Sequence, residues 1–180
     1  MQTDSRDPLD LFPEWLQSLG SDAQVMAQAL CDNRLDVEER IWIASAVNYL
    51  FRSIDLIPDG IEDLGFLDDA FVIRRAALEA SRQQTSAAEL HPILAKLARE
   101  AVDVNEFLAE DAERLGEYVS GLRIVSVRGR SPSDIAEDEN VSRQVADEAI
   151  SWAESYVCPT FFRDEKTLVK LKAFLTTKLP

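Results

Sequence analysis

The fold is decided by two short stretches, YLFRSIDLIPD at residues 49–59 and LGFLDD at residues 64–69. Apolar residues at helical spacing precede and follow them, whereas the middle is rich in aspartate, proline and glycine. Proline and glycine punctuate helices, and aspartate is favoured where a helix begins. The pattern predicts a short turn that joins two helices, with carboxylates in the turn and in the first turn of the second helix.

The helix before this turn is predicted from its start signal. Asp36 followed by Glu39 has the form of a capping box, in which each side chain accepts a hydrogen bond from the other residue's backbone N–H. The helix it opens spans about residues 37–52 and is apolar on most of its faces. A helix of that kind is surrounded by other elements, so we expect it to be central. The second helix is expected from about Leu67 to Arg82.

The rest of the chain also favours helices. Pro13 and Gly20 bracket a short helix, after which Ser21 can cap the next one. Apolar residues at spacings of three and four predict helices through residues 92–119, and further helices are expected from Ser131 and over residues 164–179. Residues 122–127 fit either a last helical turn or a short strand. The fold class is therefore all-α, a compact helical bundle with a central buried helix and an Asp-rich helix–turn–helix unit.

Charge and composition exclude several classes of protein. The 180 residues include 33 acids and 19 bases, a net charge of -14 that repels nucleic acid and anionic lipid. No run reaches the roughly 18 apolar residues of a membrane span, and residues 1–11 lack the pattern of a signal peptide. With two cysteines and one histidine, no disulfide framework or zinc set is expected. We expect a cytoplasmic protein with no nucleic acid partner and no membrane span.

The two stretches resemble the signature of the YkvA-like family, a bacterial family of unknown function. In that signature a Tyr ends one helix, Asp-Leu-Ile-Pro-Asp forms the turn, and Gly-aromatic-Leu-Asp-Asp opens the next helix; residues 49–59 and 64–69 match this order. The family usually has Pro two residues before the first Asp, where this chain has Ser53. The resemblance covers about a quarter of the chain and implies a helical unit at about residues 37–82, but it implies no activity. We expect an N-terminal region, 1–85, that contains this unit, and a C-terminal region, 86–180, packed on it.

Polar residues of the two helices and the turn are expected to form one cluster. Asp55 can cap a short helical turn, and helical spacing turns Asp69 inward and Asp68 partly outward. Buried carboxylates need partners, which for Asp55 and Asp69 would come from the preceding helix. The predicted structural polar cluster is Asn48, Tyr49, Arg52, Asp55, Asp59, Asp68 and Asp69.

Two interpretations of this cluster stay open. In the first, capping carboxylates and Arg52 fix the helix starts, so the cluster is structural. In the second, four carboxylates are ligands for Mg²⁺ or Mn²⁺ in a hydrolase: Asp55, Asp59, Asp68 and Asp69. A calcium loop of the EF-hand type is excluded, because Ile57 and Phe66 stand where oxygen ligands are required.

Two further patterns are weaker. Residues 131–150 are similar to the start of a DNA-binding helix-turn-helix, but Glu139 occupies an apolar position and Asp147 would face phosphates. His91 precedes Pro92 at a helix start with no nucleophile pattern nearby, so we expect a solvent-exposed helix entry there.

The function that the sequence favours is a non-catalytic helical scaffold or protein-interaction module, because catalytic patterns are absent and the helices are amphipathic. It would need no cofactor, and it could bind a protein partner or self-associate. The alternative is the Mg²⁺ or Mn²⁺ hydrolase. A water-accessible cleft beside Asp55 and Asp69 would favour the hydrolase, whereas carboxylates bonded to backbone N–H groups would favour the scaffold.

Overall fold

Helices make up most of the protein in the computed structural model, which describes residues 6–83 and 86–180. In chain order the helices are α1 (Pro8–Leu30), α2 (Val37–Tyr49), α3 (Leu67–Gln83), α4 (Ser86–Leu90), α5 (Pro92–Leu108), a 3₁₀ turn (Ala109–Asp111), α6 (Ala112–Leu122), α7 (Pro132–Glu137), α8 (Glu139–Ser155) and α9 (Glu165–Lys178). The described residues contain no strand, only an isolated bridge between Val127 and Arg130. This confirms the all-α prediction, and residues 122–127 end α6 and continue as a turn. None of the helices in these ranges combines the length and apolar character that crossing a lipid bilayer requires.

Helix α2 is the central helix, as predicted. Asp36 Oδ1 accepts from the Glu39 N–H at 2.8 Å and Glu39 Oε2 accepts from the Asp36 N–H at 2.9 Å, so the capping box is present. Every side chain from Ile41 to Tyr49 is buried, because α1, α3 and α7 pack around this helix. The helix ends at Tyr49, about three residues earlier than expected, where the chain enters the turn.

Glu39 also reaches across the fold. Its second carboxylate oxygen, Oε1, accepts from the backbone N–H of Ala87 in α4 at 3.1 Å, and Glu39 is fully buried. One side chain thus satisfies a free N–H at the start of α2 and another in a helix 48 residues further along the chain.

The prediction that Gly20 ends a helix is wrong. Helix α1 runs without a break from Pro8, with Asp7 as its cap, through Pro13 and Gly20 to Leu30. A Cβ placed on Gly20 would lie 3.2 Å from the backbone oxygen of Ala153 in α8. Gly20 therefore serves the close packing of α1 on α8, and Ser21 lies inside the helix instead of capping a new one.

The hydrophobic core includes residues from both sides of position 85. Helix α3 packs against α2 and α5, and α1 packs against α2 and α8. Edge-to-face aromatic contacts join Phe12 of α1, Phe71 of α3 and Phe107 of α5, with ring centroids 4.9 to 6.1 Å apart. Helices of the two predicted regions thus share one core, while the boundary between residues 85 and 86 stays a prediction.

Helices α7 and α8 correspond to the segment that is similar to a helix-turn-helix. Ser131 and Asp134 form a capping box at the start of α7, and Ile135 and Val145 are buried. Helix α7 packs on α2 and α8 packs on α1. One face of the would-be recognition helix is therefore used inside the fold, and its exposed Arg143 is paired with Glu139 of the same helix.

Candidate functional site

The centre of the predicted cluster is a hydrogen-bond network around the Tyr49 hydroxyl. This hydroxyl donates to Asp68 Oδ2 at 2.6 Å and accepts from the backbone N–H of Leu56 at 2.9 Å. The N–H of Ile57 donates to the same Asp68 oxygen at 3.0 Å. The network joins the end of α2 to the start of α3 and holds the intervening turn by two of its backbone N–H groups.

Asp68 is fully buried, so the expectation that it faces partly outward is wrong. Helical spacing places Asp68 away from the face of α3 that meets the core, but the turn at residues 56 and 57 folds over that side. Asp69 is also buried, as expected, with 3% of its surface exposed.

Three carboxylate oxygens in this cluster are buried without a hydrogen-bond partner in the described part of the chain: Asp55 Oδ1, Asp68 Oδ1 and Asp69 Oδ2. Asp55 lies in an irregular turn, where no helix forms for it to cap. The predicted capping role of Asp55 is therefore wrong. When it is ionised, its carboxylate instead adds negative charge that raises the pKa of Asp69.

Burial and mutual repulsion shift the pKa values of these carboxyl groups upward. Burial, followed by the charges of Asp68 and Asp59, raises the pKa of Asp55 to about 7, against a lowering effect of Arg52. Burial raises the pKa of Asp68 to about 6, although the hydrogen bonds from Tyr49 and Ile57 favour its ionised form. Burial and then the charges of Asp68, Asp59 and Asp55 raise the pKa of Asp69 well above its ordinary value. The cluster therefore favours holding protons near neutral pH.

Arg52 and Asn48 have partners other than those expected. Arg52 Nη1 donates to the Tyr118 hydroxyl of α6 at 3.0 Å, and Asn48 Nδ2 donates to the backbone oxygen of Arg130 at 3.1 Å. Both partners lie more than sixty residues further along the chain, at separations of 66 and 82. Tyr118 and the 123–130 loop are thus part of the surroundings of the site, and no local sequence signal pointed to them.

Gly65 stands at a position where the fold has no room for a side chain. A Cβ on Gly65 would lie 2.3 Å from the backbone oxygen of Asp59, a separation that no side chain could tolerate. The next residue, Phe66, has a φ of 66°, and its ring contacts Trp152 of α8 and Tyr156, which follows α8. Asp59 lies at the edge of the cluster and is exposed as a whole. Partial loss of water around its carboxyl group raises the pKa of Asp59.

A second buried network was not predicted from the sequence. The fully buried Arg74 of α3 donates to Glu100 of α5 at 2.9 Å and to Asp22 of α1 at 3.4 Å, and its guanidinium lies 4.2 Å from the ring centroid of Trp15. Arg75 follows Arg74 in the sequence, but at helical spacing Arg74 shares a line with Ala70 and Ala77, and this position on the inner face of α3 could have indicated the role. The network ties three helices together.

The four carboxylates do not fit a metal site in this arrangement. Within residues 6–83 and 86–180, no three Asp, Glu, His or Cys side chains converge as ligands around one point. The Mg²⁺ or Mn²⁺ alternative therefore depends on the unpartnered oxygens and on the sequence pattern.

His91 begins α5, as predicted, but it is not simply exposed. Its Nε2 lies 2.9 Å from Asp32 Oδ2, and 17% of its side chain is accessible. The imidazole links the start of α5 to the turn after α1 through Asp32, which is also paired with Arg34.

Comparison with known proteins identifies the same segment of the chain. A family model described as a protein of unknown function (DUF1232) matches residues 39–73, which run from the first turn of α2 to the middle of α3. No curated protein and no solved structure matches the chain. The matched residues contain the whole Tyr49–Asp68 network, so the part of this chain that is similar to an uncharacterised protein family is the unit built around that network.

Proposed function

We propose that this protein is a non-catalytic helical interaction module whose carboxylate cluster shapes and stabilises the turn between α2 and α3. The observation that carries this proposal is the burial of Asp68 and Asp69, with 0% and 3% of their surface exposed. A hydrolase must bring substrate and water to its carboxylates, and these two are closed off from solvent. Asp68 is bonded to a backbone N–H and to Tyr49, which is the arrangement expected for a scaffold.

The alternative proposal is a Mg²⁺ or Mn²⁺ hydrolase that uses Asp55, Asp59, Asp68 and Asp69. The three unpartnered oxygens favour it, because a cation would satisfy them. The lack of three converging ligands in the described residues, together with the burial of Asp68 and Asp69, counts against it.

One experiment separates the two proposals. The full chain is purified and assayed with chromogenic phosphate and carboxylate esters in the presence of Mg²⁺ or Mn²⁺, and its partners are captured from its own host cells and then purified. We expect no metal-dependent turnover and direct binding of a purified partner that persists in Asp69→Asn. Metal-dependent turnover that both Asp55→Asn and Asp69→Asn abolish would make the hydrolase the better proposal.

A further inference from the structure

Two of the most exposed large apolar side chains of the described residues lie on neighbouring loops. Ile54, in the turn after α2, is 77% exposed, and Ile124, after α6, is 86% exposed. Between these loops runs a groove of about 390 Å³, with residues 51–54 on one wall and residues 125–128 on the other. We call this the arginine groove, because Arg52 and Arg128 both line it.

The arginine groove continues into a second depression. The Arg128 guanidinium lies over the ring of Phe51, 4.5 Å from its centroid, and these two residues also line a cavity of about 530 Å³ along α8. That cavity is bordered by the half-buried Trp152 and by Glu148. The arginine groove and the cavity together are thus longer than a single side chain. Apolar side chains line both parts, Ile54 in the groove and Trp152 in the cavity.

The side chains that line the arginine groove carry a charge opposite to that of the whole chain. Residues 49–54 and 120–131 contain four arginines and no acidic residue, although the chain has a net charge of -14. Arg128 and Arg130 share a single counter-ion, Glu148, and Arg123 is paired with Glu38. Arg52 is bonded to the neutral Tyr118 hydroxyl and has no ion pair among the described residues. The residues that line the arginine groove therefore include two arginines and no acidic residue, whereas Asp55, which follows Ile54 in the chain, and Asp147, in the adjoining cavity, lie outside this lining.

We propose that the arginine groove binds a segment of a partner protein in which acidic residues flank a large apolar side chain. This inference rests on the proposed function and gives the interaction module a location and a ligand class. The apolar side chain packs against Ile54 and Val125, where burial of apolar surface supplies most of the affinity. The acidic residues pair with Arg52 and Arg128, whose planar guanidinium groups suit carboxylates.

Two other occupants fit the surface less well. A second copy that docked through the same face would set arginine against arginine, because a two-fold interface pairs each patch with itself. A bilayer surface would not fill a concave groove, and the net charge of -14 would be repelled by anionic lipid. A short peptide segment interacts mainly with the arginines of the groove. The acidic residues elsewhere on the chain repel it little, since charges beyond about 8 Å are screened at physiological salt.

The test uses the full chain and a random peptide library displayed on phage. Enriched peptides are synthesised with a fluorescent label, and their binding is measured by anisotropy. We expect enriched peptides to carry Asp or Glu beside a large apolar residue, and their affinity to fall about tenfold or more in Ile54→Ser and in Arg128→Gln. Val169→Ser and Arg163→Gln are matched controls, because Val169 is exposed on α9 and Arg163 also forms an exposed ion pair, with Asp10. These controls should bind like the wild type.

Several results would overturn the proposal. These are the absence of any enriched peptide, or equal losses in the groove variants and in the controls. Dimerisation that Ile54→Ser abolishes would assign the groove to a second copy, and cosedimentation with phosphatidylserine vesicles that depends on Ile54 and Ile124 would assign it to a membrane. Peptides that bind the wild type and both groove variants alike would refute only this location and leave the interaction module standing. Metal-dependent turnover, in contrast, would refute the proposed function itself.

Discussion

Replacing Tyr49 by Phe removes a single oxygen atom and leaves the ring in place. That oxygen accepts from the Leu56 N–H and donates to Asp68 Oδ2, and all three groups are buried. A buried N–H left without an acceptor costs about 1–3 kcal/mol of stability, and the loss of a hydrogen bond to an ionised carboxylate costs about 1.5–3 kcal/mol. We therefore expect Tyr49→Phe to lower the free energy of unfolding by about 2–5 kcal/mol, since the two losses overlap in part.

The assay is urea unfolding followed by circular dichroism, with Tyr156→Phe as the matched control. The Tyr156 hydroxyl donates to the backbone oxygen of Leu16 at 2.8 Å and also interacts with the exposed Cys158 side chain, so its loss removes no hydrogen bond to a carboxylate and should lower the free energy of unfolding by about 1 kcal/mol. The effect of Tyr49→Phe should be larger at about pH 8 than at about pH 5, because Asp68, with a pKa of about 6, is ionised only at the higher pH. Equal losses for the two variants at both pH values would show that the network does not hold the turn.

Four further predictions follow from the structure. Gly65→Ala should destabilise the protein by about 2 kcal/mol or more, because its Cβ would meet the Asp59 oxygen, whereas Gly60→Ala, with nothing within 4 Å, should be nearly neutral in thermal unfolding. The pKa values of Asp55, Asp68 and Asp69 are raised in the folded chain, so these groups stabilise it fully below their ordinary pKa of 3.8 and lose that effect as the pH rises through about 6 and 7. Urea unfolding across this pH range should show the decline in stability, and Asp69→Asn should make it less steep. Calorimetric titration with Mg²⁺, Mn²⁺ and Ca²⁺ should detect no stoichiometric site of about micromolar affinity, and such a site lost in Asp69→Asn would contradict this. Random duplex DNA should not bind at low salt, and a salt-sensitive gel shift that Arg143→Ala abolishes would prove the opposite.

The sequence predicted the features that depend on near neighbours. The capping box at Asp36 and Glu39 spans four residues, and the burial of α2 follows from apolar residues on most of its faces, so both could be read locally. The all-α class follows from the same periodicity repeated along the chain.

The features that the sequence missed are decided by distant parts of the chain. Gly20 lies inside α1, where its lack of a side chain leaves room for α8. Asp68 is buried because the turn covers it. Arg52 donates to the Tyr118 hydroxyl and not to an Asp. This partner could be predicted only if the position of α6 in the fold were known. Helical spacing gives the direction in which a side chain leaves its helix, but not what the rest of the fold places there.

Glu39 has a consequence for how the protein unfolds. Because the buried Glu39 side chain accepts hydrogen bonds from the N–H groups of both Asp36 and Ala87, opening of either segment would break a buried hydrogen bond to a residue that also holds the other. Local opening near residue 87 should then cost about 1–3 kcal/mol more than it would without this hydrogen bond, so the Asp36 and Ala87 amide protons should both be protected from exchange with solvent. Helices on both sides of residue 85 also share the hydrophobic core, so a fragment that ends at residue 85 would expose that core to water.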